Sequence, residues 1–256
     1  MVNRPEKMAA ALACIVASLS ACQQPATSEE VDLAGGIQTD GEKLLARSIA
    51  LHDPEGRWTR DEVRLRWSSL GPNGEERIVF DMTMGPADRF SMQGSYAGTR
   101  IDYRTAGDAW SAEVDGDREP GPAALERAVL DREDGLFWRN YFGFLGGLPM
   151  CLAGASLELA PHPASVSWEG EQVYALEVRF PAEIGEDLWE FYFAPEDAEL
   201  VGCKFWRTDP SSDGETLVFE GLVEVDGLLF PESRHWFRNA DGELLGTDVL
   251  APVERP

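Results

Sequence analysis

Basic residues are scarce in this chain. It contains 22 Lys and Arg against 46 Asp and Glu, which gives a formal net charge of −24 at pH 7. A field of this sign repels the phosphates of DNA and RNA. The composition therefore excludes nucleic acid as a partner. The acidity is typical of a well-solvated surface, and an acidic site that recruits cations is the alternative.

Histidine and the usual catalytic motifs are also rare. The chain has three histidines, His52, His162 and His235, which are far apart in sequence. HExxH, CxxC and Gly-rich phosphate loops are missing, and Gly154-Ala155-Ser156 is not a GxSxG nucleophile elbow. We therefore expect no metal, no cofactor and no catalytic residue, and the sequence favours a non-enzymatic protein.

A catalytic Ser-His-Asp set could still assemble in space, because such sets recur in different chain orders. The trio to inspect for a hydrolase is His52, Asp53 and Asp248. The alternative is that His52 ends a helix and bonds a carbonyl there.

Apolar runs long enough to span a membrane are missing as well. The longest leader run, Met8 to Leu19, is shorter than the about 20 residues that a transmembrane helix needs. Arg4 and Lys7 precede it, as in a secretory signal peptide. Leu19-Ser20-Ala21-Cys22 follows and resembles the bacterial lipobox.

That resemblance implies that residues 1–21 are a lipoprotein signal peptide and that Cys22 becomes the lipid-bearing N-terminus. Gln23, where Asp is typical of retention in the inner membrane, favours an outer-membrane lipoprotein facing the periplasm. Two or more acyl chains give stable membrane attachment. Of the other cysteines, Cys14 is removed with the signal peptide. Cys151 and Cys203 either form a disulfide or remain separate thiols.

The rest of the chain suits one domain. Residues 22–38 are polar and predict a flexible tether, which leaves 39–256 as the domain. Thr39-Asp40-Gly41-Glu42 fits a capping box, so a helix should begin there. From Asp61 onward apolar residues alternate with polar ones, which predicts antiparallel strands joined by short turns.

A second helical region interrupts this alternation. Pro122 can begin a helix, and the segment Leu136 to Leu145 is apolar almost all round, as in a buried helix. In total the pattern predicts a mainly β (α+β) domain of about 11 strands with an N-terminal helix and a central helix.

Several short motifs resemble an uncharacterised family of bacterial envelope lipoproteins. They are HDPEGRW at 52–58, RNY at 139–141, LPM at 148–150, DLWEFYF at 187–193 and LGTD at 245–248. That family is similar in layout to the Lol-type lipoprotein carriers. The resemblance covers about residues 40–252 and implies a curved, half-open antiparallel barrel whose concave face holds acyl chains under a helical lid.

The central segment 134–148 is then expected to cover the concave face. Apolar parity along the strands, together with the central helix, predicts the residues that line a cavity: Trp67, Phe80, Tyr103, Trp110, Trp138, Arg139, Phe191 and Phe205. The alternative is that these residues form one solid core, since aromatic stripes are more often core than site. Arg139 should either pair with an acidic residue or meet a ligand headgroup.

These observations favour a lipid-anchored envelope protein that binds a lipid or another apolar ligand without catalysing a reaction. The alternatives are a scaffold with a filled core that docks an envelope protein partner and, third, an envelope hydrolase. One fold hosts many functions, so the fold alone does not decide between them.

Overall fold

The computed structural model describes residues 39–154, 156–181, 187–207 and 213–253 of the 256-residue chain. The predicted signal peptide, Cys22 and the tether lie outside these described residues.

The first helix begins as the sequence predicts. Helix α1 spans Asp40–His52, and Thr39 is its N-cap. The Glu42 backbone N–H donates to the Thr39 hydroxyl at 3.2 Å, and the Thr39 N–H donates to the Glu42 carboxylate at 2.6 Å. This capping box satisfies two backbone donors that a helix end leaves without partners.

Strands make up most of the described chain. The first five are β1 Val63–Leu70, β2 Glu76–Gly85, β3 Arg89–Tyr96, β4 Thr99–Ala106 and β5 Ala109–Val114. The other eight are β6 Glu158–Leu159, β7 Ala164–Trp168, β8 Glu171–Arg179, β9 Leu188–Phe193, β10 Leu200–Trp206, β11 Glu215–Val225, β12 Leu228–Arg238 and β13 Leu244–Pro252.

All described strands belong to one open antiparallel sheet. Its order is β5-β4-β3-β2-β1-β13-β12-β11-β10-β9-β8-β6, and β7 pairs with β8. Two meanders therefore meet where the first strand pairs with the last, with Trp67 opposite Leu250. The predicted curved, half-open antiparallel architecture is confirmed.

The strand count differs slightly from the predicted value of about 11, because the described chain has thirteen strands. The strand that the pattern missed is β7, whose sequence ASVSW alternates but is short and mostly exposed. Its Val166 and Trp168 are only partly buried, against a small cluster outside the main core. Strand β6 has two residues, so its pairing depends on its neighbour β8 rather than on its own composition.

The segment between β5 and β6 is helical. Helix α2 spans Pro122–Arg127, with proline at its start as expected, and α3 spans Phe137–Leu145. Short 3₁₀ turns at Glu133–Gly135 and Met150–Leu152 flank α3. We call α3 the central helix.

The core lies between the helices and one face of the sheet. Inward residues of β1, such as Leu65 and Trp67, belong to the same continuous cluster as Leu44 of α1 and Phe142 of α3. The opposite, convex face carries a separate small cluster around Val173, Ala175 and Tyr192. The curved sheet thus buries mainly its concave face, and both longer helices cover it.

Candidate functional site

The concave face of the sheet is lined with aromatic rings. Five of the predicted lining residues are fully buried there: Trp67, Phe80, Tyr103, Phe191 and Phe205. Trp110 on the edge strand β5 is partly buried and packs on the Tyr103 ring, with centroids 6.2 Å apart. The sequence therefore located the apolar face correctly, and whether these residues line a ligand cavity stays a prediction.

The central helix packs directly onto these rings. All nine of its residues are buried. The Phe142 ring lies 5.0 Å from that of Trp67, and the Trp138 ring lies 5.5 Å from that of Phe80, both edge-on. Edge-to-face pairs of this kind contribute about 0.5–1.5 kcal/mol each beyond their burial. The helix therefore fills the concavity in this conformation.

The connection that leads into the central helix is strained. Val129, Glu133 and Asp134 have positive φ angles of 57°, 50° and 52°. This left-handed conformation costs non-glycine residues about 1–2 kcal/mol each, and such strain persists only where surrounding contacts impose it.

Gly135 ends the strained turn, with a φ of 87°. A Cβ at this position would lie 2.1 Å from the Trp110 ring, so a side chain cannot fit. The Tyr103 hydroxyl donates to the Gly135 carbonyl at 2.6 Å. The turn is thus fixed to the sheet just before the central helix begins.

Arg139 fixes the other side of the helix to the sheet edge. Its Nη1 donates to the Gly107 carbonyl in the β4–β5 turn at 2.8 Å and lies 3.9 Å from the exposed Asp108 carboxylate. Its Nε and Nη2 donate to the Asn140 side chain, at 3.1 and 3.0 Å, and Asn140 donates to Glu133. Arg139 therefore holds the helix at the edge of the sheet beside an acidic residue, and contact with a ligand headgroup stays a prediction.

A row of buried polar side chains crosses the middle of the concave face. Arg234 on β12 faces Asp248 on β13, and Asp248 faces Ser69 on β1. The Ser69 hydroxyl and the Trp236 indole donate to the two oxygens of Asp248, the latter at 2.8 Å, and the Trp67 indole donates to Ser69 at 3.1 Å. We call Arg234, Asp248 and Ser69 the polar row.

Sequence reasoning missed Arg234 as a functional candidate. Strand β12 has the aromatic residues Trp236 and Phe237 next to each other, so they point to opposite faces. The alternation of residue types therefore did not show which face points inward. The structure buries Arg234 and Trp236, whereas Phe237 is only partly buried. Arg234 and Asp248 have opposite charges and lie opposite each other on neighbouring strands, so the register of β12 with β13 is what reveals them as a pair.

The inspected trio of His52, Asp53 and Asp248 does not form a catalytic set. The Nδ1 of His52 lies 2.7 Å from the Leu229 carbonyl, and its Nε2 accepts from the Leu200 N–H at 3.3 Å. Asp53 accepts from the backbone N–H groups of Arg57 and Trp58. Both ring nitrogens of His52 thus join α1 to the sheet, and the carbonyl it bonds belongs to β12 rather than to the helix end.

Replacing His52 with Ala should destabilise the protein at pH 7.5 by about 2–5 kcal/mol, because the Leu229 carbonyl and the Leu200 N–H then lack partners. Burial lowers the pKa of His52 below its ordinary value of 6.5. The unfolded state therefore binds the proton more readily, and the stability gained from neutral His52 is lost as pH falls below 6.5.

Urea unfolding of wild type and the His52→Ala variant checks this expectation. The difference in free energy of unfolding should shrink between pH 7.5 and pH 5. The control is His162→Ala, because the His162 side chain is 81% exposed. A difference that does not change with pH, or a loss as large for His162→Ala, would contradict the assignment.

The remaining cysteines are separate buried thiols. Cys151 and Cys203 are not joined in a disulfide, which answers the question that the sequence left open. The Cys151 thiol donates to the Phe144 carbonyl at 3.5 Å, so it helps to end the central helix. Burial raises the pKa of the Cys203 thiol far above its ordinary value, which makes it a core side chain rather than a nucleophile.

Within the described ranges, no three His, Cys, Asp or Glu side chains converge in a way that could hold a metal ion. Within the same ranges, no helix has the length and apolar character needed to cross a membrane.

No protein-family model matches the chain, and no curated protein matches it either. The solved structures that are similar in backbone include the following three. A LolA superfamily protein from Nitrosomonas europaea is 12% identical, with a TM-score of 0.48 over 86% of this chain and 96% of that one. An outer membrane lipoprotein-sorting protein domain from Vibrio parahaemolyticus is 11% identical, with a TM-score of 0.45 over 82% and 89%.

The third is a DUF1329 family protein from Desulfovibrio piger, 10% identical, with a TM-score of 0.43 over 84% of this chain and 92% of that one. At these identities the likeness concerns the layout of the backbone and not the function. The short motifs that suggested an envelope lipoprotein family are tested by none of these comparisons. Because all three TM-scores are below 0.5, the resemblance to the Lol-type carriers that the sequence motifs suggested stays a prediction.

Proposed function

We propose that this protein is a lipid-anchored envelope lipoprotein that binds a long-chain apolar ligand on the concave face of its sheet, with the central helix as a movable cover. The observation that carries the proposal is the nature of the contact between helix and sheet. Aromatic rings line the sheet, and a helix that is buried on all sides lies against them. An acyl chain could replace the apolar contacts that the helix makes with these rings.

Such an exchange replaces the contacts of the helix with contacts of the ligand. A ligand that buries apolar surface gains about 25 cal/mol per Å², and it must offset the contacts that the helix loses. The strained connection at Val129, Glu133 and Asp134 lowers the free energy needed to displace the helix, because its strain is relieved when the helix leaves. The central helix would therefore be the element whose position responds to ligand.

Anchoring remains part of the proposal. The leader with its lipobox supports lipid on Cys22, and Gln23 supports retention at the outer membrane facing the periplasm. Residues 22–38 would then act as the tether of a domain that begins at residue 39. Mass spectrometry of the mature N-terminus should find a diacylglyceryl group on Cys22, and the Cys22→Ser variant should lack it.

A second candidate function is a scaffold that docks an envelope protein partner without binding a ligand. The close ring contacts between Phe142, Trp67 and Trp138 favour it, because they leave the concavity filled. The two functions differ in one property. A binding protein must open its concave face at an accessible free energy, whereas a scaffold need not.

Ligand binding is tested with hexadecanol and a neutral dye, N-phenylnaphthylamine, on the Cys22→Ser variant, which carries no lipid of its own. We expect the dye to bind and hexadecanol to displace it, and organic extracts of protein purified without detergent to contain a long-chain lipid. Absence of dye binding together with lipid-free extracts would overturn ligand binding and leave the scaffold function.

A further inference from the structure

Arg234 is the one large charged side chain among the fully buried residues of the described chain. It lies in the middle of the concave face, with Phe219 opposite on β11 and Asp248 opposite on β13. Its guanidinium carbon lies 4.9 Å from the centre of the Trp67 ring and 5.6 Å from that of Phe219. These rings contribute cation–π attraction to the guanidinium.

The edge of the same guanidinium is not satisfied. Nη1 donates to the Pro231 carbonyl at 3.3 Å. Among the described residues, Nε and Nη2 have no hydrogen-bond partner, although both are shielded from solvent. Leaving buried charged donors without acceptors is unfavourable by several kcal/mol. A fold that keeps such a group in its core has a reason other than stability for keeping it.

The geometry of the free edge indicates which ligand group it fits. Nε and Nη2 lie on one side of the planar guanidinium and point their N–H bonds in parallel. This is the pair of donors that grips two oxygens of one carboxylate or phosphate. The oxygens of neighbouring Asp248 accept from Ser69 and Trp236. Burial lowers the pKa of Arg234 to about 10, so the side chain remains charged at neutral pH.

The central helix contacts the same Trp67 ring as the guanidinium of Arg234. Tyr141 of that helix packs on Trp67, with ring centroids 6.5 Å apart. Burial raises the pKa of Tyr141 well above its ordinary value, and the charge of Asp248 raises it further. Movement of the helix would thus uncover the aromatic face and the guanidinium edge together.

We propose that the Nε and Nη2 edge of Arg234 binds the oxyanion headgroup, a carboxylate or a phosphate, of the long-chain ligand whose apolar part occupies the concave face. This inference rests on the proposed function and adds the headgroup chemistry to it. Because the chain is strongly acidic overall, the preference is best measured at about 0.15 M salt, where charges beyond about 8 Å are screened.

The test compares three ligands with the same sixteen-carbon chain: palmitate, hexadecyl phosphate and hexadecanol. Each displaces the neutral dye from the Cys22→Ser protein. We expect the wild-type site to prefer an anionic ligand over hexadecanol by at least about tenfold, since hydrogen bonds to charged groups contribute about 1.5–3 kcal/mol. Preference for palmitate indicates a fatty acid, and preference for hexadecyl phosphate indicates a phospholipid.

The Arg234→Met variant should lose this preference and keep its affinity for hexadecanol. The Arg234→Met/Asp248→Asn variant removes both buried charges, so it keeps the test valid where the single variant does not fold. The matched control is Arg66→Met, because Arg66 on β1 is exposed and paired with Asp81 at 3.3 Å. This control should keep the preference.

Two outcomes separate this inference from the proposed function. Equal affinity for all three ligands in the wild-type site, or a preference that survives in both Arg234 variants, overturns the headgroup site alone. Failure of every ligand to displace the bound dye, or failure of the dye to bind together with lipid-free extracts, overturns ligand binding itself and the headgroup site with it.

Discussion

Replacing Phe142 with Ala should lower the free energy of unfolding by about 3–5 kcal/mol and strengthen the binding of hexadecanol by at least about tenfold. Phe142 is fully buried in the central helix, and its ring contacts those of Trp67, Phe80 and Phe90. Removing the Phe142 ring destabilises the conformation in which the helix covers the sheet much more than a conformation in which the helix is displaced. Apparent affinity rises with the population of the open form. Urea unfolding and dye displacement measure the two effects.

The control for this prediction is Tyr192→Ala. Tyr192 is buried on the convex face, where it stacks on Trp168 with ring centroids 3.7 Å apart. Its loss should also destabilise the protein, but hexadecanol affinity should not change. If Phe142→Ala destabilises the protein without strengthening binding, the central helix does not compete with the ligand. If both variants strengthen binding equally, the effect comes from general loosening of the fold.

Replacing Glu215 with Gln should stabilise the protein at high pH. The free energy of unfolding of the variant minus that of wild type should be about 3 kcal/mol larger at pH 8 than at pH 4. Burial raises the pKa of Glu215 from 4.5 to about 7, and among the described residues its Oε2 has no hydrogen-bond partner. Between these two pH values the unfolded state releases the proton and the folded state holds it, so wild-type stability falls as pH rises. One pKa unit corresponds to about 1.4 kcal/mol.

Denaturant unfolding of wild type and Glu215→Gln between pH 4 and pH 8 measures this difference. The amide cannot ionise, so any constant offset from its own hydrogen bonds cancels when the two pH values are compared. His52 acts in the opposite direction below pH 6.5, and both proteins share that effect. A stability difference that stays constant across this range would show that Glu215 is ionised in the folded protein.

The sequence predicted the architecture because each local signal agreed with the fold. The Thr39 capping box set the start of α1, and period-two alternation set β1 to β5. The apolar run before Gly146 set the central helix, which ends at Leu145. The pattern missed β7 because that strand is short and mostly exposed, and its Val166 and Trp168 pack outside the main core.

The polar part of the candidate site was less predictable. Arg139 stood out because a charge in an apolar helix is conspicuous, yet its donors bind Gly107 and Asn140 within the fold. Arg234 did not stand out, because an arginine within a strand usually faces water. Its burial depends on the register between β12 and β13, which pairs it with Asp248. These two strands are consecutive, but their register shifts between Trp236 and Phe237, so counting outward from the turn that joins them does not pair Arg234 with Asp248.

The central claim is that the helix spanning Phe137–Leu145 covers a concave face to which a ligand gains access when the helix moves. Amide hydrogen exchange with and without saturating hexadecanol tests it most directly. We predict that these helix amides exchange faster when hexadecanol is bound, while the amides of β1, β2 and β12 exchange more slowly. Helix amides that exchange together with the sheet, at a rate that hexadecanol leaves unchanged, would contradict the claim.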